Sequence, residues 1–339
     1  YDLSRLRFVA IALSVGGGFF GYISAQTAQA QGLGDQWTGI ATFYYLLASV
    51  QRWGLCLLAI LYFKDRRQVD GLLLFIASVL MIIAVEQSIK RTILFEFVII
   101  IAGAWYFATR KAPPRAAIAA FALAATLFVS QVGQLRNYVD EGRGTALEGL
   151  AEGVLVEKFA YLDREDSAEF RQFASRFGSN QNHDFGAFYW NQAVHQYVPA
   201  FLIGRDLKDA LKIDVDTSFS DEVFFSRGAA ETGFGDSFSS LGYFGSFVFF
   251  LIGAFFGYVY RYAIRGNLLY QFLYLTLLVE GITSVLVQSS GLLRALPFAL
   301  ALSVPLLIWI SGTKRHARRR ETRHIDRNLP PQQGGAVRG

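Results

Sequence analysis

Eight apolar runs punctuate this chain, near 5 to 24, 38 to 63, 68 to 85, 91 to 109, 116 to 135, 238 to 260, 268 to 288 and 292 to 310. Each is about long enough to cross roughly 30 Å of hydrocarbon as a helix. A composition of 53% hydrophobic and 17% charged residues, with a mean hydropathy of +0.32, lies outside the range of an ordinary soluble domain. The expected fold is therefore an all-α polytopic membrane protein of about eight transmembrane helices. Five spans occupy 1 to 135 and three occupy 238 to 311. Between them lies one large polar loop, 136 to 237, and a basic tail follows over 312 to 339.

The first run lacks a short apolar core followed by a processing site, and more spans follow it, so it reads as a membrane helix rather than a cleaved leader. The chain starts at Tyr1, which leaves room for an upstream segment with further spans. Cys56 is the single cysteine and lies inside the second span, so the large loop is expected to hold together without an intrachain disulfide. Cys56 reads as a small packing residue.

Orientation follows from where Lys and Arg accumulate in the connections. Arg5 and Arg7, then Lys64, Arg66 and Arg67, then Arg110, Lys111 and Arg115, then Arg261 and Arg265, and finally the tail from Lys314 to Arg323 all fall on one face. The connection from 25 to 37 has neither residue. Both termini are predicted to be cytoplasmic and the 136 to 237 loop to face outward. The tail is expected to be disordered and close to anionic headgroups. The loop has ten Lys or Arg against eighteen Asp or Glu, so it is acidic, and nucleic acid is excluded as a partner despite the pI near 9.2.

The informative charges are those that topology does not explain. Lys90 and Arg91 open the fourth span at its outer mouth, and Arg294 lies at the outer mouth of the eighth. Cations there oppose the insertion bias; a diphosphate headgroup would favour them, and snorkelling to the headgroups is the plainer alternative. Arg52, Glu96 and Glu280 fall deeper, where an ionised side chain costs several kcal/mol unless it is paired or hydrated. Arg52 lies roughly 18 Å from Lys64 along a helix, and Glu280 lies at about the same depth, which predicts an Arg52–Glu280 ion pair. Glu96, about a turn and a half inside the outer edge, either faces a cavity below the loop, as a candidate catalytic residue that orients an arginine or handles a proton, or simply partners a nearby cation.

Within the loop, "ALEGLAEGVLVEKFAYL" and "AEFRQFASRF" have the apolar spacing of short amphipathic helices. The middle, "SNQNHDFGAFYWNQAVHQYVPAFLIGRDLKDALKI", sets Tyr189, Trp190 and Tyr197 among amides, carboxylates and imidazoles. Rings stack on the C–H faces of sugars while polar groups bond hydroxyls, so this is a candidate sugar-binding surface. His183 and His195 are candidate bases near neutral pH, or else structural hydrogen-bonding residues. "DVD" at 214 to 216 is a weak carboxylate pair without His–Cys spacing, so no metal site is expected. The last part, "TSFSDEVFFSRGAAETGFGDSFSSLGYFG", with Arg227 and Asp236, brings backbone amides and a cation toward an anionic ligand, or is simply a turn-rich entry into a helix. Gly253 and Gly257 form a GxxxG, which reads as close helix packing.

"KRTILFEFVIIIAGAWYFATRKAPPR", "VHQYVPAFLIGRDLK" and "TGFGDSFSSLGYFGSFVFFLIG" together resemble the bacterial oligosaccharide repeat unit polymerases, the Wzy-type enzymes of O-antigen and exopolysaccharide assembly. The resemblance spans roughly 88 to 260. It implies a metal-independent glycosyltransferase without a cofactor that moves a growing glycan from one undecaprenyl diphosphate carrier onto another lipid-linked repeat unit. A chain-length regulator and a flippase are the implied partners. On this resemblance Arg91 matches the family's arginine at the outer end of a span. Arg205, Arg227 and Arg294 compete for the second arginine, and His195 is preferred to His183 as the base. The rival readings are a ligase of similar architecture and a non-enzymatic transporter or export subunit; the five-plus-three layout lacks the repeated halves common in transporters.

Overall fold

The computed structural model describes residues 2 to 31, 40 to 88, 91 to 111, 114 to 116, 183 to 198, 203 to 214, 233 to 286, 288 to 293, 295 to 301, 303 to 306 and 308. Among these residues every regular element is helical, with no strand. The helices are α1 (Leu3–Gln31), α2 (Ile40–Ala48), α3 (Gln51–Asp65), α4 (Gln68–Ser88), α5 (Arg91–Thr109), α6 (Ala187–Tyr197), α7 (Arg205–Ala210), α8 (Gly233–Leu241), α9 (Ser246–Ala263) and α10 (Leu268–Leu286). A 3-10 turn, Gly242–Gly245, joins α8 to α9. A backbone that satisfies its hydrogen bonds locally is what a chain this apolar needs in order to enter lipid.

Four helical stretches among the described residues are long and apolar enough to cross a membrane: Leu3–Ser24, Leu46–Asp65, Gly233–Ala263 and Leu268–Leu286. Shorter apolar helices, Gln68–Met81, Phe95–Thr109 and Gly291–Leu306, take the places of the third, fourth and eighth expected spans. Nearly all of the fifth expected span, the amphipathic part of the loop over 145 to 177, and the tail lie outside the described residues.

Helix α3 is the hub. Gln51, Trp53 and every residue from Gly54 to Leu61 are buried, which is the signature of a helix covered on all sides. It packs on α1, α4, α5 and α10. The crossing with α1 depends on Gly54, where a Cβ would lie 2.6 Å from the Ala10 carbonyl and collide with Ser14. Trp53 stands edge-on to Phe272 at 5.9 Å and against Phe298 at 5.4 Å, tying α3 to α10 and to the helix after it. Cys56 is fully buried in this core. Exposed Phe8, Val15 and Phe19 on α1, Leu72, Phe75 and Val79 on α4, and Phe247, Phe250 and Leu251 on α9 give the bundle an apolar outer surface suited to hydrocarbon.

Two boundaries differ from the expected spans. The run from 38 to 63 is broken at Ser49 and Val50, where the Ser49 hydroxyl donates to Leu46 O at 2.6 Å; a serine that bonds back to its own turn bends a helix. At the other boundary, α8 begins at Gly233, inside the polar stretch that ends at 237. Gly233 is there because it lies against the Ser284 carbonyl of α10, where a side chain would collide.

The basic end of the bundle is clamped. Arg7 of α1 donates two bonds to Asp70 in the first turn of α4, at 2.6 and 2.9 Å, and lies 3.7 Å from Asp65 at the end of α3. Asp70 is fully buried. Arg7 therefore serves packing as well as the charge bias read from sequence.

Candidate functional site

The break before α3 puts Arg52 in the first turn of the hub helix, at the end of the bundle away from the Arg7 clamp. There Arg52 Nη1 donates to Glu280 Oε1 of α10 at 3.1 Å and also to Glu96 Oε1 of α5. Glu96 is 6% exposed, and the Arg52 and Glu280 side chains are 18% and 21% exposed. One guanidinium thus faces two carboxylates inside the apolar helices. Arg52 Nε, Gln51 Nε2 and Ser14 Oγ are buried and have no hydrogen-bond partner among the described residues, so this interior is more polar than its ion pairs alone indicate. Such a group in a membrane-spanning core marks a functional or structural centre rather than an accident of composition.

A polar seam runs from this triad toward the chain end of α10. The Ser284 hydroxyl donates to Glu280 O at 2.7 Å and accepts from Leu292 N–H at 2.8 Å. Beyond it, Ser289 N–H donates to Asp236 Oδ2 at 3.2 Å, and the Ser289 hydroxyl meets Tyr189 Oη at 2.9 Å. Asp236 on α8 and Tyr189 on α6 are thereby brought together on one serine. Burial pushes the Tyr189 hydroxyl up from its ordinary value, with the Ser289 bond opposing the shift.

The segment that enters α6 is fixed to α8. Asp184 accepts from Ser240 Oγ and from Gly186 N–H at 3.0 Å, and Gly186 N–H also reaches Ser240 Oγ at 3.2 Å. His183 Nδ1 lies 3.2 Å from Ser239 O, and its ring stands edge-on to Phe238. His183 is thus held as a packing and hydrogen-bonding residue.

Helices α6 and α7 form a clamped pair. Asn191 donates to Ile213 O and accepts from Ile213 N–H, both at 2.9 Å, as a strand neighbour would. Trp190 Nε1 donates to Leu211 O at 2.8 Å, and Lys208 Nζ donates to His195 O at 2.8 Å. Lys208 is buried, and burial lowers its ammonium from the ordinary value. His195, Trp190, Tyr197 and Arg205 are all exposed on this pair.

Of the remaining sequence candidates, Lys90, Arg227 and Arg294 lie outside the described residues. Arg91 is the first residue of α5, and its side chain also lies outside them. Sequence reading missed Ser284, Ser289 and Asp184, because isolated serines and a loop aspartate have no spacing signal. Among the described residues no group of three or more His, Cys, Asp or Glu is placed to hold a metal ion.

Fold and site define a class: a chain whose described elements are all helical, with helices fit to cross a membrane, an internal Arg–Glu–Glu triad, and a short-helix layer of aromatic and polar residues at one end. No protein-family model, curated protein or solved structure matches the chain.

Proposed function

We propose that this chain is an integral-membrane glycosyltransferase that joins undecaprenyl-diphosphate-linked oligosaccharide repeat units into a polysaccharide at the outer face of the cytoplasmic membrane. The observation that carries the reading is the α6–α7 pair, which exposes Trp190, His195, Tyr197 and Arg205 beside helices apolar enough for lipid. Rings for sugar faces, an imidazole near neutral pH and a guanidinium for phosphate are what the transfer needs. In that transfer a sugar hydroxyl attacks the anomeric carbon as the lipid diphosphate leaves, and the proton passes to a base, for which His195 is the candidate. Arg91, with Arg205, Arg227 or Arg294, takes the leaving diphosphate in this scheme.

The test is incubation of the purified chain with a lipid-linked repeat unit, followed by gel separation of products. A ladder of longer glycans is expected, weakened at least about 100-fold in Arg91→Ala and His195→Ala, the low end of what a general base or a charge-stabilising donor contributes. No ladder from a folded protein refutes it. The triad favours a second reading, a lipid-linked-sugar transporter, since charged groups inside spans often mark transport paths. Movement of the lipid-linked unit across vesicles without elongation would select that reading. A single transfer to a lipid or protein acceptor would select a ligase.

A further inference from the structure

The opposite, basic end of the bundle has a cavity of about 460 Å³ between the end of α3 and the end of α5, lined by Phe63, Lys64, Arg66, Trp105, Ala108, Thr109 and Lys111. Among the described residues the lining has three cations and no carboxylate. Asp65, the acidic residue in the middle of that sequence, turns toward Arg7 instead, at 3.7 Å. The volume falls within the range of small-molecule sites, roughly 300–1,000 Å³.

The backbone at this cavity is unusual in the same direction. Arg66 and Arg110 leave α3 and α5 with φ of 52° and 60°, in the left-handed region that helix ends usually assign to glycine or asparagine. Their own N–H groups close the turns onto Tyr62 O at 2.7 Å and Tyr106 O at 2.8 Å, so the capping is done by main chain. A glycine would cap equally well at no steric cost, whereas an arginine is strained in that conformation. What Arg66 adds in place of a glycine is a charge in the cavity lining. Lys111 follows Arg110 directly, with its N–H on Thr109 Oγ1 at 3.3 Å. Trp105 and Phe63 supply an apolar wall of the kind found at membrane interfaces.

We infer that this cavity is a binding site for a phosphate-bearing anion, held by Lys64, Arg66 and Lys111 with Trp105 as its apolar wall. Basic pockets between membrane helices take anionic lipid headgroups on such chemistry, and a soluble phosphate would present the same group. The site is separate from the triad and from the α6–α7 layer, and it does not depend on the glycosyltransferase reading.

The test uses the full chain in neutral detergent with three probes: phosphatidylglycerol, phosphatidylcholine and inorganic phosphate. Binding is read by native mass spectrometry and by thermal shift. Phosphatidylglycerol is expected to be retained and to stabilise the protein where phosphatidylcholine does not. K64Q/R66Q/K111Q should weaken that retention about 100-fold, from three cations near an anionic group. R67Q/R261Q/R265Q removes the same charge from the same end outside the cavity and should change it by less than about tenfold. Ala108→Phe fills the cavity without touching charge and should also abolish retention, which keeps the test decisive if the triple variant fails to fold. Retention of phosphatidylglycerol alone assigns the site to a lipid headgroup, and equal protection by inorganic phosphate assigns it to a soluble phosphate. Equal retention of both lipids without protection by phosphate, equal loss in the two triple variants, or unchanged retention in Ala108→Phe would each overturn the site.

Discussion

Replacing Arg52 by leucine removes the cation that Glu96 and Glu280 share, and the two glutamates do not respond alike to substitution. In Glu280→Gln the amide oxygen still accepts from Nη1, where the distance is now 3.1 Å, and Glu96 still pairs with the guanidinium. That change trades a charge-assisted bond for a neutral one and leaves the centre with matched charges, so it should cost about 1 kcal/mol. Arg52→Leu instead leaves Glu96 and Glu280 facing each other in an apolar core, and losing one partner of a buried pair costs about 3–5 kcal/mol. At about 2–4 °C per kcal/mol, Arg52→Leu should lower the unfolding temperature by roughly 6–20 °C and Glu280→Gln by only a few degrees. The triple variant R52L/E96Q/E280Q has no charge left to strand and should recover most of the Arg52→Leu loss. Thermal unfolding of each purified variant in one detergent checks the series. Two results refute the reasoning: Arg52→Leu no less stable than Glu280→Gln, or a triple variant as unstable as Arg52→Leu alone.

Three further outcomes are expected. Asp70→Ala leaves Arg7 without its bidentate partner at a fully buried site and should destabilise by about 3–5 kcal/mol, read by the same unfolding assay. Gly54→Leu drives a side chain into Ser14 and the Ala10 carbonyl and should cost about 1–3 kcal/mol or more, while Gly253→Leu, with nothing within 4 Å of its Cβ, should be near neutral. Because Lys208 is lowered from its ordinary value of 10.5, its protonation in the folded state opposes folding near neutral pH; the penalty fades as pH rises through the lowered value toward 10.5. Competitive amine labelling read by mass spectrometry should show Lys208 half-reacting at a pH below the ordinary lysine value of 10.5, and half-reaction at or above that value would contradict the assignment.

Much of the bundle is legible because a helix long enough to span lipid must be apolar along its whole length. The runs at 5 to 24, 238 to 260 and 268 to 288 correspond to α1, α9 and α10 for that reason. Local breaks are less legible. Ser49 and Val50 interrupt an apolar run without a proline or glycine, and the bend rests on one serine hydroxyl turning back to Leu46 O. No period in the sequence announces that choice. The entry at Gly233 is equally quiet, because its reason is a carbonyl fifty residues away.

The triad shows how such a break changes a site. Read along one unbroken helix from residue 38, Arg52 falls about 21 Å below the outer edge and Glu96 only about 8 Å below it, so the two stand too far apart in depth to meet. Only α3 packs as the hub, however, and it starts at Gln51. Counted instead from the basic end, Arg52 stands thirteen residues from Asp65, Glu96 thirteen from Thr109 and Glu280 twelve from Leu268. All three lie about 18–20 Å from that end. Depth measured from the clamped end predicts the meeting of all three; depth measured from the outer edge puts Glu280 at about 12 Å, also well short of Arg52, and predicts neither pair. In a bundle pinned at one face by Arg7, Asp65 and Asp70, that face is the physical origin of register, and buried charges are best aligned from it.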